Sequence, residues 1–300
     1  MRTAAIGIGS NSLRMLLADV DLEKNTLRRM ERYREGLRVF AALDEQGNIE
    51  ESMIERSCAS VRGLMEEARV RGAQRIHLFA TSAVRDAHNQ QAFGKRLEQA
   101  TGLELEICSG AQEAALSFWG ATEGEHTGLI DIGGGSTEIV VGSGMQIDVS
   151  VSLQLGAVRL CRMQPIDSNA TAENVVAVAR SVLAPYREQF IAQAAEGWVG
   201  VGGTFTTLAA FVQRVPWDHR DKIHGFLLTR ADAQAAMDTL APMPLQERLL
   251  LPYLQPHRAD IVVHGIAILL ACMQALSIEV IQISECGNLE GYLKMKYLLH

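Results

Sequence analysis

The feature that most constrains how this chain can fold is a glycine-containing segment that occurs twice. Residues 6–12 read IGIGSNS and residues 130–136 read IDIGGGS, at an offset of 124 residues. Each copy is followed by an apolar run, at residues 15–17 or 139–141. Each therefore predicts a strand, a tight turn of small residues and a second strand. We expect two related halves that each begin with the same β-hairpin.

Strand and helix patterns alternate along the rest of the chain. Apolar spacing predicts helices over 52–71, 92–101, 111–120 and 170–195, the last with a kink at 184–185, and strands over 76–80, 103–107, 198–201 and 280–283. The glycines at 202–203 predict a turn that opens a further helix. This order predicts an α/β fold with a boundary near 122–127, which gives domains 1–122 and 123–300. A length of 300 residues suits two domains.

Composition excludes several classes of partner. Lys and Arg number 28 against 35 Asp and Glu, for a net charge of −7. Such a charge opposes binding to nucleic acid or an anionic membrane, so neither partner is predicted, and a polyanionic ligand needs a local basic site. The most apolar stretch, 261–273, is shorter than the roughly 20 residues of a membrane span. We interpret it as a buried helix, although it also fits the interface of a homodimer formed through the second half.

Cysteine and histidine usage indicates neither a disulfide framework nor a transition-metal site. The five cysteines are odd in number and form no C-x-x-C pair, and the eight histidines show no metal-binding spacing. The apolar run at the start of the chain is too short for a signal peptide. Together these features predict a cytoplasmic protein.

The second glycine segment carries the clearest chemical signal. A turn made of Gly133, Gly134, Gly135 and Ser136 presents backbone N–H groups that no large side chain covers, which suits phosphate oxygens. The hairpin can bring the flanking carboxylates of Asp131 and Glu138 near this turn, where they would suit Mg²⁺. The alternative is a surface hairpin with two solvated carboxylates. Three consecutive glycines weaken a strand, which favours the functional interpretation.

With a third glycine turn at 202–204, these hairpins resemble the superfold of actin, heat-shock chaperone ATPases and sugar kinases, in which two ribonuclease H-like domains enclose a cleft. More narrowly, the chain resembles the exopolyphosphatase and guanosine pentaphosphate phosphohydrolase family. Seven segments carry that resemblance in family order: residues 8–12, 80–87, 109–114, 131–138, 155–160, 202–204 and 256–260. The resemblance runs from residue 6 to about residue 291, whereas longer family members add a C-terminal hydrolase-like domain.

The resemblance implies hydrolysis of a terminal phosphoanhydride, with Mg²⁺ and phosphate in the interdomain cleft. Glu113 falls at the position of the family's catalytic glutamate, which activates water, and Asp131 and Glu138 become the metal candidates. Inorganic polyphosphate or a guanosine polyphosphate is the implied substrate. The phosphate-binding candidates are Gly9, Ser10, Asn11, Ser12, Arg85, Gly133, Gly134, Gly135, Ser136, Gly203 and Thr204.

Arginine provides the remaining candidates. Arg85 could bind phosphate bidentately, and its alternative is a structural salt bridge with Asp86 or another acid. Arg14, Arg159 and Arg258 are weaker candidates. The run 28–34 mixes signs within a strand-like segment and is interpreted as a solvated face.

The chain departs from the family pattern at three places. Gly7 stands where the family carries an aspartate, Gln112 stands where it carries a glutamate, and residues 287–291 lack the usual arginine. A second hypothesis is therefore a regulatory protein that binds a polyphosphate or nucleotide with weakened catalysis. A third is a kinase of the same superfold, for which the sequence shows no adenine pocket.

Overall fold

The computed structural model describes residues 1–299, which form two α/β halves, each built on one mixed sheet. The strands of the first sheet are β1 (Arg2–Ile8), β2 (Leu13–Asp21), β3 (Thr26–Glu35), β4 (Arg75–Ala80) and β5 (Leu105–Ile107). Their order is β3-β2-β1-β4-β5, with the first three antiparallel and β4 and β5 parallel to β1.

The second sheet repeats this arrangement and adds one edge strand. Its strands are β6 (Thr127–Ile132), β7 (Thr137–Ser143), β8 (Gln146–Leu153), β9 (Gly197–Val201), β10 (Leu227–Thr229) and β11 (Val280–Ile283). Their order is β10-β11-β9-β6-β7-β8, with β6, β7 and β8 antiparallel and β9 and β11 parallel to β6. The predicted α/β class with two related ribonuclease H-like halves is confirmed.

The helices are α1 (Glu51–Val70), α2 (Ser82–Arg85), α3 (Gln90–Thr101), α4 (Gly110–Ala121), α5 (Ala157–Met163), α6 (Asn169–Leu183), α7 (Arg187–Ile191), α8 (Gly203–Gln213), α9 (Arg220–Ile223), α10 (Arg230–Leu240), α11 (Leu245–Arg248), α12 (Val262–Ala275) and α13 (Asn288–Tyr297). Most predicted elements are confirmed within about two residues. A 3₁₀ turn at Ala184–Tyr186 confirms the kink predicted at 184–185, whereas the helix predicted over 170–195 is wrong in extent, because α7 ends at Ile191. Pro185 lacks the N–H that a continuous helix would require.

Each half has its own hydrophobic core. In the first half, α1 and α3 pack on one face of the sheet, around residues such as Ile6 and Phe93. In the second half, α12 is buried on nearly all sides, which confirms the buried helix predicted from the stretch 261–273. No helix within residues 1–299 is both long and apolar enough to cross a membrane.

The last helix returns to the first half. Leu289 and Tyr292 of α13 pack against Ala5, Leu16 and Phe79 on the other face of the first sheet. Helix α13 also lies directly against α4. A methyl group added to Gly120 would lie 1.8 Å from the backbone oxygen of Gly287, so only glycine permits this approach. The boundary at residue 122 stays a prediction.

Candidate active site

The two hairpin turns have the same backbone structure. The first loop, residues 9–12, is closed by a hydrogen bond from the Gly9 N–H to the Ser12 carbonyl at 3.0 Å. The second loop, residues 133–136, is closed by the equivalent bond from Gly133 to Ser136 at 2.9 Å. These positions differ by the offset of the sequence repeat, so the internal similarity reflects a repeated structure.

The two loops face one another across the cleft between the halves. A methyl group added to Gly134 would lie 2.9 Å from Ser10 Cβ. One added to Gly135 would lie 2.8 Å from the hydroxyl oxygens of both Ser10 and Ser82. These two hydroxyl oxygens are themselves 2.8 Å apart and hydrogen-bonded. Glycine is therefore required at the place where the two halves meet.

The carbonyl groups of the second loop already have hydrogen-bond partners. The carbonyl oxygens of Gly133 and Gly134 accept hydrogen bonds from the backbone N–H groups of residues 157–159 at 2.9–3.0 Å. Within the described residues 1–299, the N–H groups of residues 134–136 donate to no protein acceptor. Unpaired N–H groups in a concave turn form a cradle for phosphate oxygens.

The first loop is arranged in the same way. Its Ser10 and Asn11 carbonyl groups accept hydrogen bonds from the N–H groups of Phe40 and Arg38 at 3.0 and 3.1 Å. The side-chain amide nitrogen and oxygen of Asn11 are buried, and among the residues described neither atom has a hydrogen-bond partner. Buried polar atoms are rarely left unpaired, so these atoms indicate a polar ligand between the loops.

Asp131 and Glu138 lie side by side beneath the second loop. They are direct partners in the antiparallel pair of β6 and β7, so both side chains lie on one face of the sheet. Ser117 of α4 donates to Asp131 Oδ2 at 2.6 Å, and Ser152 donates to Glu138 Oε1 at 2.7 Å. Burial raises the pKa of both carboxyl groups, and the nearby charge of Glu113 further raises the pKa of Glu138.

These carboxylates fit a magnesium site. No group of three His, Cys, Asp or Glu side chains that could enclose a metal is found in the part of the chain that the structure describes. Mg²⁺ does not require one, because it commonly takes one or two carboxylates and completes its shell with water and substrate oxygens. Glu138 Oε2 is buried without a partner, which leaves an oxygen for such an ion.

Helix α4 carries Glu113 into the cleft. Ser109 and Gln112 form a capping box, in which the Gln112 N–H donates to Ser109 Oγ at 3.2 Å and the Ser109 N–H donates to Gln112 Oε1 at 2.8 Å. Glutamine fills this role as well as glutamate does. The departure at Gln112 therefore leaves the helix cap intact. Glu113 follows in the first helical turn and is buried.

Arg85 binds Glu113 directly. Its Nη1 donates to Glu113 Oε2 at 2.8 Å and to the Cys108 carbonyl at 3.0 Å. The salt bridge that was the alternative interpretation of Arg85 is therefore present: its nearest partner is the candidate catalytic glutamate, and Asp86 Oδ1 also lies 3.6 Å from Arg85 Nε. Burial raises the pKa of Glu113, Arg85 opposes this shift, and the charge of Asp131 adds to it.

The third glycine turn closes the site on the side of β9. A methyl group on Gly202 would lie 2.8 Å from Asp131 Oδ1, and one on Gly203 would lie 1.8 Å from Arg258 Cζ. Gly203 is therefore brought to the cleft beside a cation. The Thr204 side chain points into the protein, where its hydroxyl packs against Gly265 of α12. The Thr204 side chain is therefore not available to phosphate, and the predicted phosphate contact of this residue is limited to its backbone.

Beyond this turn, arginine side chains line a cavity of about 90 Å³ that also borders Asp131. Its arginines are Arg14, Arg32, Arg34, Arg220 and Arg258. Burial and the charge of Arg14 lower the pKa of Arg258 to about 10, a sign of cations held close together.

Sequence reasoning missed part of this cavity. Residues 28–30 and residue 34 are exposed, as the predicted solvated face requires, and residues 31–33 are half-buried. However, Arg32 pairs with buried Glu290 at 2.7 Å, and Arg34 donates to Gln255 of the other half at 2.8 Å. The sequence did not predict these contacts, because the pattern of charged residues on a strand is the same whether the strand faces solvent or a cleft.

The chain is similar to known proteins over nearly its whole length. A profile of the Ppx/GppA phosphatase family matches residues 18–300. Exopolyphosphatase 2 of Mycobacterium tuberculosis (strain CDC 1551 / Oshkosh) is 31% identical over 309 residues, which cover 97% of each chain. The solved structure of the Aquifex aeolicus PPX-GPPA enzyme is 27% identical, with a TM-score of 0.81 over 98% of each chain.

A longer protein is also similar. The guanosine-5'-triphosphate,3'-diphosphate pyrophosphatase of Photobacterium profundum is 26% identical over 299 residues. The match covers 96% of this chain and 58% of that protein.

Proposed function

The chain belongs to the Ppx/GppA phosphatase family, and on that premise we propose that it removes the terminal phosphate of inorganic polyphosphate or guanosine pentaphosphate with the help of Mg²⁺. Its family makes it a hydrolase of phosphoanhydride bonds. The observation that carries the finer proposal is the position of Glu113, a buried carboxylate that lies close enough to Asp131 and Glu138 for their charges to interact.

The two loops supply the phosphate site. The unpaired N–H groups of residues 134–136 and the unpaired amide of Asn11 offer donors from both halves. Phosphoryl transfer is accelerated mainly by positioning and by neutralisation of charge, and fixed backbone dipoles provide both. When bound, Mg²⁺ would add positive charge at the phosphoryl oxygens, held by Asp131 and Glu138.

Glu113 is the proposed general base. Its raised pKa gives its carboxylate more affinity for a proton than an ordinary glutamate has, which suits deprotonation of water. In the structure Arg85 occupies Glu113 Oε2. A terminal phosphate would compete for that guanidinium, because phosphate accepts two parallel N–H bonds from arginine. The exchange would leave Glu113 free to receive the proton.

The arginine cavity is the proposed site for the rest of the substrate. It adjoins Asp131 and Gly203 and presents cations from both halves, including Arg14 and Arg258. An anionic group of the substrate would relieve the repulsion between Arg14 and Arg258. The net charge of −7 favours a short substrate over a long polyanion, which needs an extended positive track.

Gly7 defines a limit on the metal site. A methyl group at this position would lie 2.9 Å from Phe79 Cζ, and the Phe79 ring stacks on Tyr292 with centroids 4.5 Å apart. The first hairpin therefore has no room for an aspartate equivalent to Asp131. Mg²⁺ would be held by carboxylates of the second half.

The test replaces Glu113 by glutamine and measures phosphate release from polyphosphate and from guanosine pentaphosphate with Mg²⁺. We expect kcat to fall about 10²- to 10⁴-fold, the usual contribution of a general base. Glu104→Gln removes an exposed glutamate of the same half and serves as the matched control. Equal turnover of wild type and Glu113→Gln would refute the assignment.

A further inference from the structure

We propose that Asp86 and Arg159 are positioning residues of this site, which fasten the second loop to the Arg85–Glu113 pair when the two halves close. The inference rests on the proposed function for its kinetic consequence and on geometry for the rest. Both residues lie in segments that carry the family resemblance, 80–87 and 155–160, and neither has a role in the mechanism above.

Asp86 contacts a cation from each half. Its Oδ2 accepts a hydrogen bond from Arg159 Nη2 at 2.7 Å, and its Oδ1 lies 3.6 Å from Arg85 Nε. Asp86 follows α2 of the first half, whereas Arg159 lies on α5 of the second half. The Asp86–Arg159 contact can therefore exist only while the cleft is closed at this edge.

Arg159 also holds the second loop. Its Nε donates to the Gly135 carbonyl at 2.8 Å, and its backbone N–H donates to the Gly134 carbonyl at 3.0 Å. The guanidinium lies 4.7 Å from the centre of the Phe40 ring, which fixes its plane. The Arg159 side chain is 23% exposed and the Asp86 side chain 21% exposed, so water screens the pair only in part.

These contacts form a continuous path through the site. It runs from the Gly135 carbonyl through Arg159, Asp86 and Arg85 to Glu113. When Arg159 binds the Gly135 carbonyl, the peptide is turned so that neighbouring N–H groups can face the phosphate site. When the same guanidinium binds Asp86, Asp86 is neutralised and does not draw Arg85 away from Glu113 and the substrate. Both ends of the path are therefore set by one ion pair.

The chain supplies a matched control on the same helix. Arg162 also reaches across the cleft, where it donates to the Phe40 carbonyl at 2.9 Å and to the Leu43 carbonyl at 3.3 Å. It contacts neither Asp86 nor the second loop. Arg162→Ala thus removes cross-cleft hydrogen bonds without removing the proposed path.

The experiment compares Asp86→Asn, Arg159→Ala, Arg159→Lys, the double variant Asp86→Asn/Arg159→Ala and Arg162→Ala. Hydrogen–deuterium exchange is measured first, because it does not depend on activity, at the N–H groups that are hydrogen-bonded within or to the second loop, which are those of Gly133, Ala157 and Val158. We expect about tenfold faster exchange there in Arg159→Ala and a change below about twofold in Arg162→Ala, as the loss of a charged hydrogen bond predicts.

Kinetics with polyphosphate and Mg²⁺ form the second measurement. We expect KM to rise about tenfold in Asp86→Asn and Arg159→Ala, with kcat changed less than about threefold. The KM of Arg159→Lys should lie between those of the wild type and Arg159→Ala, because a single ammonium group cannot reproduce the forked geometry with which the guanidinium binds both acceptors. The double variant should be no worse than the worse single variant, since both changes break one path.

The outcomes separate the two proposals. Additive kinetic effects, or loop exchange that Arg159→Ala leaves unchanged, would overturn the positioning role even if the wild type is active. Equal effects of Arg162→Ala and Arg159→Ala would overturn it in favour of general cleft closure. If the wild type releases no phosphate, the proposed function fails, and the exchange measurement still decides whether Arg159 holds the second loop.

Discussion

The contact between the two loops can be tested with one methyl group. Gly135→Ala would place a methyl carbon 2.8 Å from the hydroxyl oxygens of Ser10 and Ser82, which are hydrogen-bonded to each other. Ordinary contact for such atoms begins near about 3.4 Å, so the loops must separate by roughly 0.6 Å. Both hydroxyls are buried and held by their mutual bond, which limits how far rotation alone can relieve the contact.

The magnitude follows from the cost of overpacking, about 1–3 kcal/mol. Only the closed arrangement brings the loops together, so this cost reduces the population that binds substrate. At about 1.36 kcal/mol per tenfold, we expect KM to rise about 5- to 150-fold. Ser82→Ala removes one of the two oxygens. In the Ser82→Ala background, Gly135→Ala should therefore raise KM by a smaller factor than it does in the wild type.

The assay follows initial rates of phosphate release against substrate concentration, with circular dichroism to show that each variant is folded. Gly36→Ala is the control, because a methyl group at Gly36 would meet no atom within 4 Å. A folded Gly135→Ala protein whose KM stays within about twofold of wild type would refute the inference that the loops meet in the binding state.

Two further predictions concern stability. The pKa of Glu138 is raised, so its protonated form stabilises the fold at low pH and this contribution is lost as pH rises through the folded-state pKa. In metal-free protein, Glu138→Gln should therefore raise the free energy of unfolding by about 1–3 kcal/mol at pH 8 and by less at pH 5, as measured by urea denaturation; a difference that does not depend on pH would contradict this. Gly120→Ala should lower that free energy by about 1–2 kcal/mol, because its methyl group would lie 1.8 Å from the Gly287 oxygen. Gly63→Ala, in the open interior of α1, should raise it by about 0.5–1 kcal/mol, and the same sign for both variants would count against the packing argument.

Much of the site was predictable because its signals are local. The glycine turns and the strands around them occupy short stretches of chain. Because the segment occurs twice, each copy supported the interpretation of the other as a hairpin. The placement of Asp131 opposite Glu138 follows from a four-residue turn, which fixes the register of a hairpin. Ser109 and Gln112 have the spacing of a capping box, so the structural role of Gln112 could also be predicted from the sequence.

The rest depended on contacts between distant segments. Arg32 lies 258 residues from Glu290, its partner, and no local pattern predicts such a pair. Arg85 lies next to Asp86 in the sequence and pairs with it, whereas its closer partner, Glu113, lies 28 residues away, and no local pattern predicts that pair. The position of α13 against the first sheet was missed for the same reason, since its apolar residues would suit any open sheet face.

The return of α13 to the first sheet has a consequence for how the protein is made. Until residues 288–297 leave the ribosome, Phe79 and Leu16 lack the helix that covers them, although the strands that carry them are synthesised early. The earliest part of the molecule to be translated is thus among the last to be completed. A nascent chain stalled before residue 288 should expose this apolar face to chaperones, and a gene cut between the two halves should yield a first fragment that aggregates.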